Sequence, residues 1–333
     1  MGLSVASFVA AAAISFGLLL WLRPLLAHYA LAKPNARSSH KEPTPQGGGI
    51  AVIATTTIVV AVAEVFFLRQ IDELLRLTVI FTSAFGLAIV GVIDDVRPLK
   101  AIPRLLLQTA AVAAVIAILP HDMRIVPSLP WWLDRTLALV GGVWFINLVN
   151  FMDGIDWMTV AEIVPVTAGL AVFGLKGALP PEATLVAAAL CGAMIGFAPL
   201  NRPVAQLFLG DVGSLPIGLL LGWLLWMLAG QGHLAAAALL PLYYLADATV
   251  TLLRRLINRE AVTQAHRRHF YQRALDSGLS VYRIVGRVFA TNVILVLLAS
   301  LTIMSRSLII DIATCAIGTI LVGTLIWKFN RGS

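Results

Sequence analysis

The sequence predicts an all-α, polytopic membrane protein of about eleven transmembrane helices, and three observations carry that expectation. Hydrophobic residues make up 59% of the 333 residues and charged residues only 12%, with a mean hydropathy of +0.90. Such a chain lies outside the range of ordinary soluble domains. Apolar runs recur from end to end, each about the 17 to 25 residues that a helix needs to cross roughly 30 Å of hydrocarbon. The runs are continuously apolar rather than alternating, which favours helices over barrel strands.

Taken in order, the runs place spans at 3–22, 48–68, 77–93, 102–119, 136–152, 158–175, 184–200, 214–229, 233–253, 284–305 and 308–327. The first has no basic residue ahead of it, its first charge is Arg23 and no cleavage site is evident. It therefore reads as a retained span rather than a cleaved leader. With the N-terminus outside and an odd number of spans, the C-terminus is cytoplasmic. About three quarters of the 24 basic residues then fall on the inside, as the positive-inside rule requires. Basic loops facing anionic lipids account for the net charge of +7, so no nucleic-acid partner is expected. Cys191 and Cys315 lie within apolar runs and read as small buried hydrophobes, with neither a disulfide framework nor a zinc site indicated.

No repeat, low-complexity tract or soluble domain interrupts the chain, which reads as one transmembrane catalytic domain over 1–333. Its unusual polar clusters fall in the inside loops 23–47, 94–101, 153–157, 201–213 and 254–283, or at adjoining helix ends. In the first loop Lys33-Pro34-Asn35-Ala36-Arg37-Ser38-Ser39-His40 and Lys41 precede Gly47-Gly48-Gly49. Lys41 is a candidate substrate contact. Glycines at a helix start can offer backbone N–H donors to an anion, although a plain flexible turn explains them too.

The third span ends at Asp94-Asp95. Adjacent carboxylates repel, and leaving them at a membrane boundary makes sense if a cation or proton is shared between them. The fifth span runs into Asn147, Asn150, Asp153 and Asp156, whose spacing of three predicts a polar stripe along one helical face. Amides suit a nucleobase edge or a sugar, and carboxylates suit hydroxyls or a metal. Asp211 stands between Gly210 and Gly213 just before the eighth span, placed either to bind a hard cation or to cap the helix. The longest loop carries His266-Arg267-Arg268-His269. The arginines would repel a metal ion, so an anion is the better guest, and guanidinium forks match phosphate oxygens.

Together and in this order, from about Lys33 to Arg273, these segments resemble the polyprenyl-phosphate N-acetylhexosamine-1-phosphate transferases. That superfamily includes the phospho-N-acetylmuramoyl-pentapeptide transferase of peptidoglycan synthesis and the enzymes that initiate O-antigen assembly. The resemblance implies ten or eleven transmembrane helices in a bacterial inner membrane, a Mg²⁺-dependent site in a cytoplasmic cleft, with Mn²⁺ as a substitute ion, and undecaprenyl phosphate as acceptor. By position, Asp94 and Asp95 match the family's aspartate pair, with Asp94 as base or nucleophile. Asn150, Asp153 and Asp156 match its polar stripe near the nucleotide. Asp211, with Asp95 beside it, matches the magnesium site, and His266 and His269 match the histidine motif. The His-Arg-Arg-His form is closer to the O-antigen-initiating branch. Trp157 and Met158 depart from the glycine and small residue that many relatives carry there.

The reaction so implied joins two anions, a lipid phosphate and a UDP-sugar, with UMP leaving. Unit charges 4 Å apart repel by about 4 kcal/mol at an effective dielectric near 20, so cations must screen the approach. The acceptor monoester has a second pKa around 6 and needs little deprotonation, so a single displacement is expected, with Asp94 orienting the acceptor; a covalent intermediate on a carboxylate uses the same residues. A muramoyl-pentapeptide transferase is the nearest rival. A secondary transporter is another, since Glu64, Glu162, Asp247 and Asp311 fall within spans, although Asp247, about two turns before Arg254, is close enough to the inner face to belong to the active cleft. A non-catalytic scaffold is a third. A homodimer is a family-level expectation.

Overall fold

The computed structural model describes residues 1–32, 43–68, 71–97, 99–260, 266–305 and 307–332. The candidate Lys41 and the basic segment from Lys33 to His40 lie outside the described residues. The helices are α1 (Gly2–Tyr29), α2 (Gly49–Ala63, continued by a wider π turn over Glu64–Leu68), α3 (Ile71–Val96), α4 (Ala101–Ala117), α5 (Trp131–Met152), α6 (Met158–Leu175) and α7 (Pro181–Phe197). There follow α8 (Asp211–Gly230), α9 (Leu234–Leu239), α10 (Leu242–Ile257), α11 (Phe270–Asp276), α12 (Val281–Ser305) and α13 (Leu308–Arg331). The only ladder among the described residues pairs β1 (Leu31–Ala32) with β2 (Thr44–Pro45).

Eight helices are long and apolar enough to cross a membrane, and α4 and α7 are shorter apolar helices. All ten coincide with expected spans, but their ends move. Helix α1 runs past Arg23 and Pro24 to Tyr29, because a charge ends a hydrophobic run without ending a helix. Helix α3 begins at Ile71 and reaches Val96, stopping ahead of Pro98 as a helix before proline does. Asp94 and Asp95 consequently belong to its last turn. The span expected over 233–253 is two helices, α9 and α10, with Pro241 at the start of the second, where its missing N–H is harmless.

Helix α8 is apolar on every side, and such a helix belongs in the middle of a bundle. It is buried along nearly its whole length and packs against α3, α5, α2 and α9. Small residues let backbones approach closely where no hydrophobic effect drives helix association in lipid. A Cβ at Gly49 of α2 would lie 2.1 Å from Gly213 Cα, and one at Gly91 of α3 would lie 2.4 Å from the Asp211 carbonyl carbon. Both contacts sit at the N-terminal turn of α8, so they fix where Asp211 stands.

The glycine run has a different use from the anion cradle considered above. The N–H groups of Gly47 and Gly48 both donate to Phe208 O, at 3.1 and 2.9 Å, and Gly49 N–H donates to Leu209 O at 2.9 Å. These donors are consumed in lashing the start of α2 to the loop that leads into α8. Overpacking at such a point costs about 1–3 kcal/mol. Gly91→Ala is therefore expected to lower thermal stability by that order and to reduce activity. Gly86→Ala on the same helix, where a Cβ meets nothing within 4 Å, should change neither in a detergent melting assay.

Candidate active site

Asp95 is the link between two helices. Its Oδ1 accepts from Asp211 N–H at 3.1 Å and its Oδ2 from Val212 N–H at 3.3 Å. A carboxylate from α3 thus satisfies the first free N–H groups of α8 and opposes the positive end of its dipole. Gly210, with φ of +76°, makes the turn before the helix, and a Cβ there would come within 2.7 Å of Asp95 Oδ2. Gln46, just after β2, also hydrogen-bonds Asp95.

Asp94 accepts from Leu99 N–H at 2.5 Å and from Arg104 Nη1 at 3.0 Å. Its carboxyl also lies within hydrogen-bonding reach of Asp211. Asp211 Oδ1 accepts from Asn150 Nδ2 at 2.7 Å, and the same amide donates to Ser214 Oγ at 2.9 Å.

The expected polar stripe is broken. Helix α5 ends at Met152, with Asp153 as its C-cap and Gly154 next, so Asp153 and Asp156 stand in a turn and share no helical face with Asn147. Asn147 exchanges hydrogen bonds with the buried Gln108, at 2.6 and 3.4 Å, and its amide is spent between α4 and α5. Asp156 Oδ2 accepts from Ala205 N–H at 3.0 Å, tying the turn to the loop before α8. Asp153 stays with the cluster, accepts from the Thr159 hydroxyl and feels the charges of Asp95 and Asp156. Burial, reinforced by those two charges, outweighs the Thr159 hydrogen bond and pushes the Asp153 carboxyl up to about 7.

Trp157, the departure from the family pattern, has φ of 61°, a conformation glycine adopts freely and tryptophan does not. Its side chain compensates. The backbone N–H donates to Asn201 Oδ1 at 2.8 Å and the indole N–H to Ala198 O at 2.6 Å.

The histidine motif is organised by Asp247 of α10, which is fully buried. It accepts from Phe270 N–H at 3.0 Å, Tyr271 N–H at 3.3 Å and Tyr243 Oη at 3.2 Å, with Thr251 Oγ1 at 3.4 Å. His269 Nδ1 faces it at 3.2 Å. A carboxylate there accepts a hydrogen bond from Nδ1 and orients the ring. The His266 ring centroid is 4.9 Å from that of His269. Burial, then the charges of His269, Arg255 and Arg268, push His266 down to about 4, so it is a neutral imidazole at physiological pH.

The arginines expected to stand ready for phosphate carry acidic partners. Arg267 pairs with Asp276 at 2.8 Å, and Arg268 pairs with Glu260. Five donors on each guanidinium allow an anion as well as the carboxylate. Tyr271 Oη donates to Phe151 O at 3.1 Å, and a Cβ at Gly154 would meet that hydroxyl at 2.1 Å. Helix α11 is thereby seated on the turn that carries Asp153.

Asp94, Asp95, Asn150, Asp153, Asp211 and His269 are thus drawn to one end of the bundle by a continuous set of contacts. Asp247 joins them, as its place about two turns before Arg254 leads one to expect, and Arg104, Thr159 and Gln46 join them without having been assigned to the site from sequence. For Asp247 a signal existed, since Tyr243 and Thr251 flank it at four-residue spacing on one helical face. For Arg104 and Thr159 no local pattern exists. Glu162 bonds Asn292 Nδ2 at 2.7 Å and Asp247 serves α11, so these intramembrane acids do not form the midplane pair a transporter would use.

Four carboxylates gather here with Arg104 as the basic side chain bonded to them, a donor set suited to a hard cation. Among the described residues no three acidic, imidazole or thiol groups converge as a closed cage.

Comparison with known proteins gives the class to which this fold and site belong. The sequence profile of glycosyl transferase family 4 matches residues 77–229, which hold both ends of the carboxylate cluster. A phospho-N-acetylmuramoyl-pentapeptide-transferase of Synechococcus sp. (strain JA-3-3Ab) is 32% identical over 239 residues, covering 65% of this chain and 67% of the relative. A "Probable undecaprenyl-phosphate N-acetylglucosaminyl 1-phosphate transferase" of Bacillus subtilis (strain 168) is 25% identical over 283 residues, covering 80% and 76%. A decaprenyl-phosphate N-acetylglucosaminephosphotransferase of Mycolicibacterium smegmatis is 27% identical over 310 residues, covering 81% and 74%. The chain belongs to glycosyl transferase family 4, the superfamily of polyprenyl-phosphate sugar-1-phosphate transferases. It is a multi-pass membrane enzyme of the phosphotransferase type.

Two outcomes test the geometry. Asp247→Asn removes a charged acceptor whose hydrogen bonds contribute about 1.5–3 kcal/mol each. It should lower the melting temperature and cut turnover by at least about tenfold. The raised Asp153 carboxyl makes the folded chain bind more protons than the unfolded chain between pH about 4 and about 7. Stability of the metal-free protein should therefore fall as pH rises through that window. Asp153→Asn should flatten this fall in melting curves collected from pH 5 to 8.

Proposed function

We propose that this enzyme transfers an N-acetylhexosamine-1-phosphate from a UDP-sugar to undecaprenyl phosphate, releasing UMP, at the cytoplasmic face of a bacterial inner membrane. The observation that carries the reading is the meeting of Asp94, Asp95, Asp153 and Asp211 at one end of an apolar bundle. The excess of basic residues in the loops at that end supports a cytoplasmic location. Relatives named for undecaprenyl- or decaprenyl-phosphate and N-acetylglucosamine support both substrates.

Each residue has a task that follows from its contacts. Asp211, with Asp95 behind it, would hold Mg²⁺, which supplies charge screening for the diphosphate when bound. Asn150 fixes the Asp211 carboxylate through its 2.7 Å hydrogen bond. Asp94, held by Arg104, orients the acceptor phosphate, and Arg104 adds positive charge at the point of attack. Neutral His266 accepts a hydrogen bond, while the guanidinium groups of Arg267 and Arg268 add donors for phosphate oxygens beside their carboxylate partners. Asp153, easily protonated, suits a donor hydroxyl. An acceptor monoester largely ionised at neutral pH makes a single displacement sufficient.

Muramoyl-pentapeptide transfer is the second reading, favoured by the 32% identical relative. The His266-Arg267-Arg268-His269 form supports the N-acetylhexosamine branch instead. Purified enzyme with undecaprenyl phosphate, each UDP-sugar in turn and Mg²⁺ decides between them by UMP release. Asp211→Asn should lower that release by at least about 10²-fold, the scale of losing a principal electrostatic group. Retention of full activity would remove the metal assignment.

A further inference from the structure

We infer that a groove between α6 and α12 is a binding site for one anionic glycerophospholipid, its acyl chain lying against Trp157, Val160, Val285 and Phe289 and its phosphate at Arg202. The groove encloses about 450 Å³ and its walls are almost wholly apolar. It lies at the end of the bundle that carries the carboxylates, because Trp157 belongs to the turn after α5 and Tyr282 to the first turn of α12. Trp157 and Tyr282 meet edge to face at 6.0 Å on its rim. Amphipathic rings at that level are the usual boundary between acyl chain and headgroup.

The charge at the mouth identifies the headgroup. Arg202 Nε donates to Tyr282 Oη at 3.2 Å, and Tyr282 Oη donates to Pro203 O at 2.8 Å. This chain orients the guanidinium, and among the described residues Arg202 has no carboxylate partner, nor has the exposed Arg283 beside Tyr282. Val204, 81% exposed, stands next to them as an apolar contact for lipid. A guanidinium with unspent donors matches a phosphate, whereas a zwitterionic headgroup offsets its own negative charge.

Position separates this site from the reaction centre. Arg202 touches α12, while Asp95 and Asp211 lie on α3 and α8, and the Trp157 indole N–H is bonded to Ala198 between them. A lipid held here braces the turn over 153–157 from the membrane side.

Gly286 lines the groove, and a Cβ placed on it meets nothing within 4 Å. A larger side chain can occupy the space without disturbing the backbone. Native mass spectrometry of the delipidated full-length protein, incubated separately with phosphatidylglycerol, phosphatidylcholine and undecaprenyl phosphate, provides the test. The wild type should retain one phosphatidylglycerol that Gly286→Leu loses by about tenfold at an unchanged melting temperature, with phosphatidylcholine not retained. Arg202→Glu, an exposed change, should lose the same lipid and decides the matter if Gly286→Leu does not fold. Equal phosphatidylglycerol retention by wild type and Arg202→Glu would overturn the inference. So would undecaprenyl phosphate displacing that lipid and being itself excluded by Gly286→Leu, since the groove would then serve the acceptor.

Discussion

Everything at the polar end of this bundle depends on how Asp95 is used. A carboxylate on the last turn of α3 supplies the N-terminal cap of α8, so two helices far apart in sequence are joined by hydrogen bonds to one side chain. The cap brings Asp94 and Asp211 together, and with them the turn that holds Asn150 and Asp153. Crowding carboxylates where water is scarce is unfavourable unless something compensates. The dipole of α8, the Arg104 guanidinium and backbone N–H groups supply part of that compensation.

Asp247 plays the corresponding part on the other side. A short helix such as α11 has little stability of its own in isolation, and its first turn is held by a carboxylate from α10 that takes both backbone and histidine donors. The same contact orients the imidazole of His269, so the geometry of the loop and the placing of its histidine come from one buried carboxylate. Tyr271 then seats the helix on Phe151 O, which couples the histidine motif to the turn carrying Asp153.

Much of the architecture was readable because hydrocarbon imposes a length and a composition. The ten apolar helices follow runs that are visible in the chain, and the carboxylates and histidines announce themselves as polar residues where apolar ones are the rule. Partnering was harder to read. Asn147 and Asp156 look equivalent to Asn150 and Asp153 by spacing, yet Asn147 is absorbed by Gln108 and Asp156 holds Ala205. Gly47 to Gly49 resemble an anion cradle until Phe208 and Leu209 are seen to take their N–H groups.

The sequence alone determined that this protein is a helical membrane protein with acidic and basic motifs of a known transferase family, because solvent preference and residue chemistry are carried locally. Tertiary structure alone decided which of those groups share a site: that Asp95 caps α8, that Arg104 holds Asp94, that Asp247 anchors His269, and that Arg267 and Arg268 are ion-paired. These are contacts between residues far apart in the chain or on different elements, set by helix packing at glycines and by the cost of leaving buried polar groups unpaired. No short window of sequence encodes that constraint.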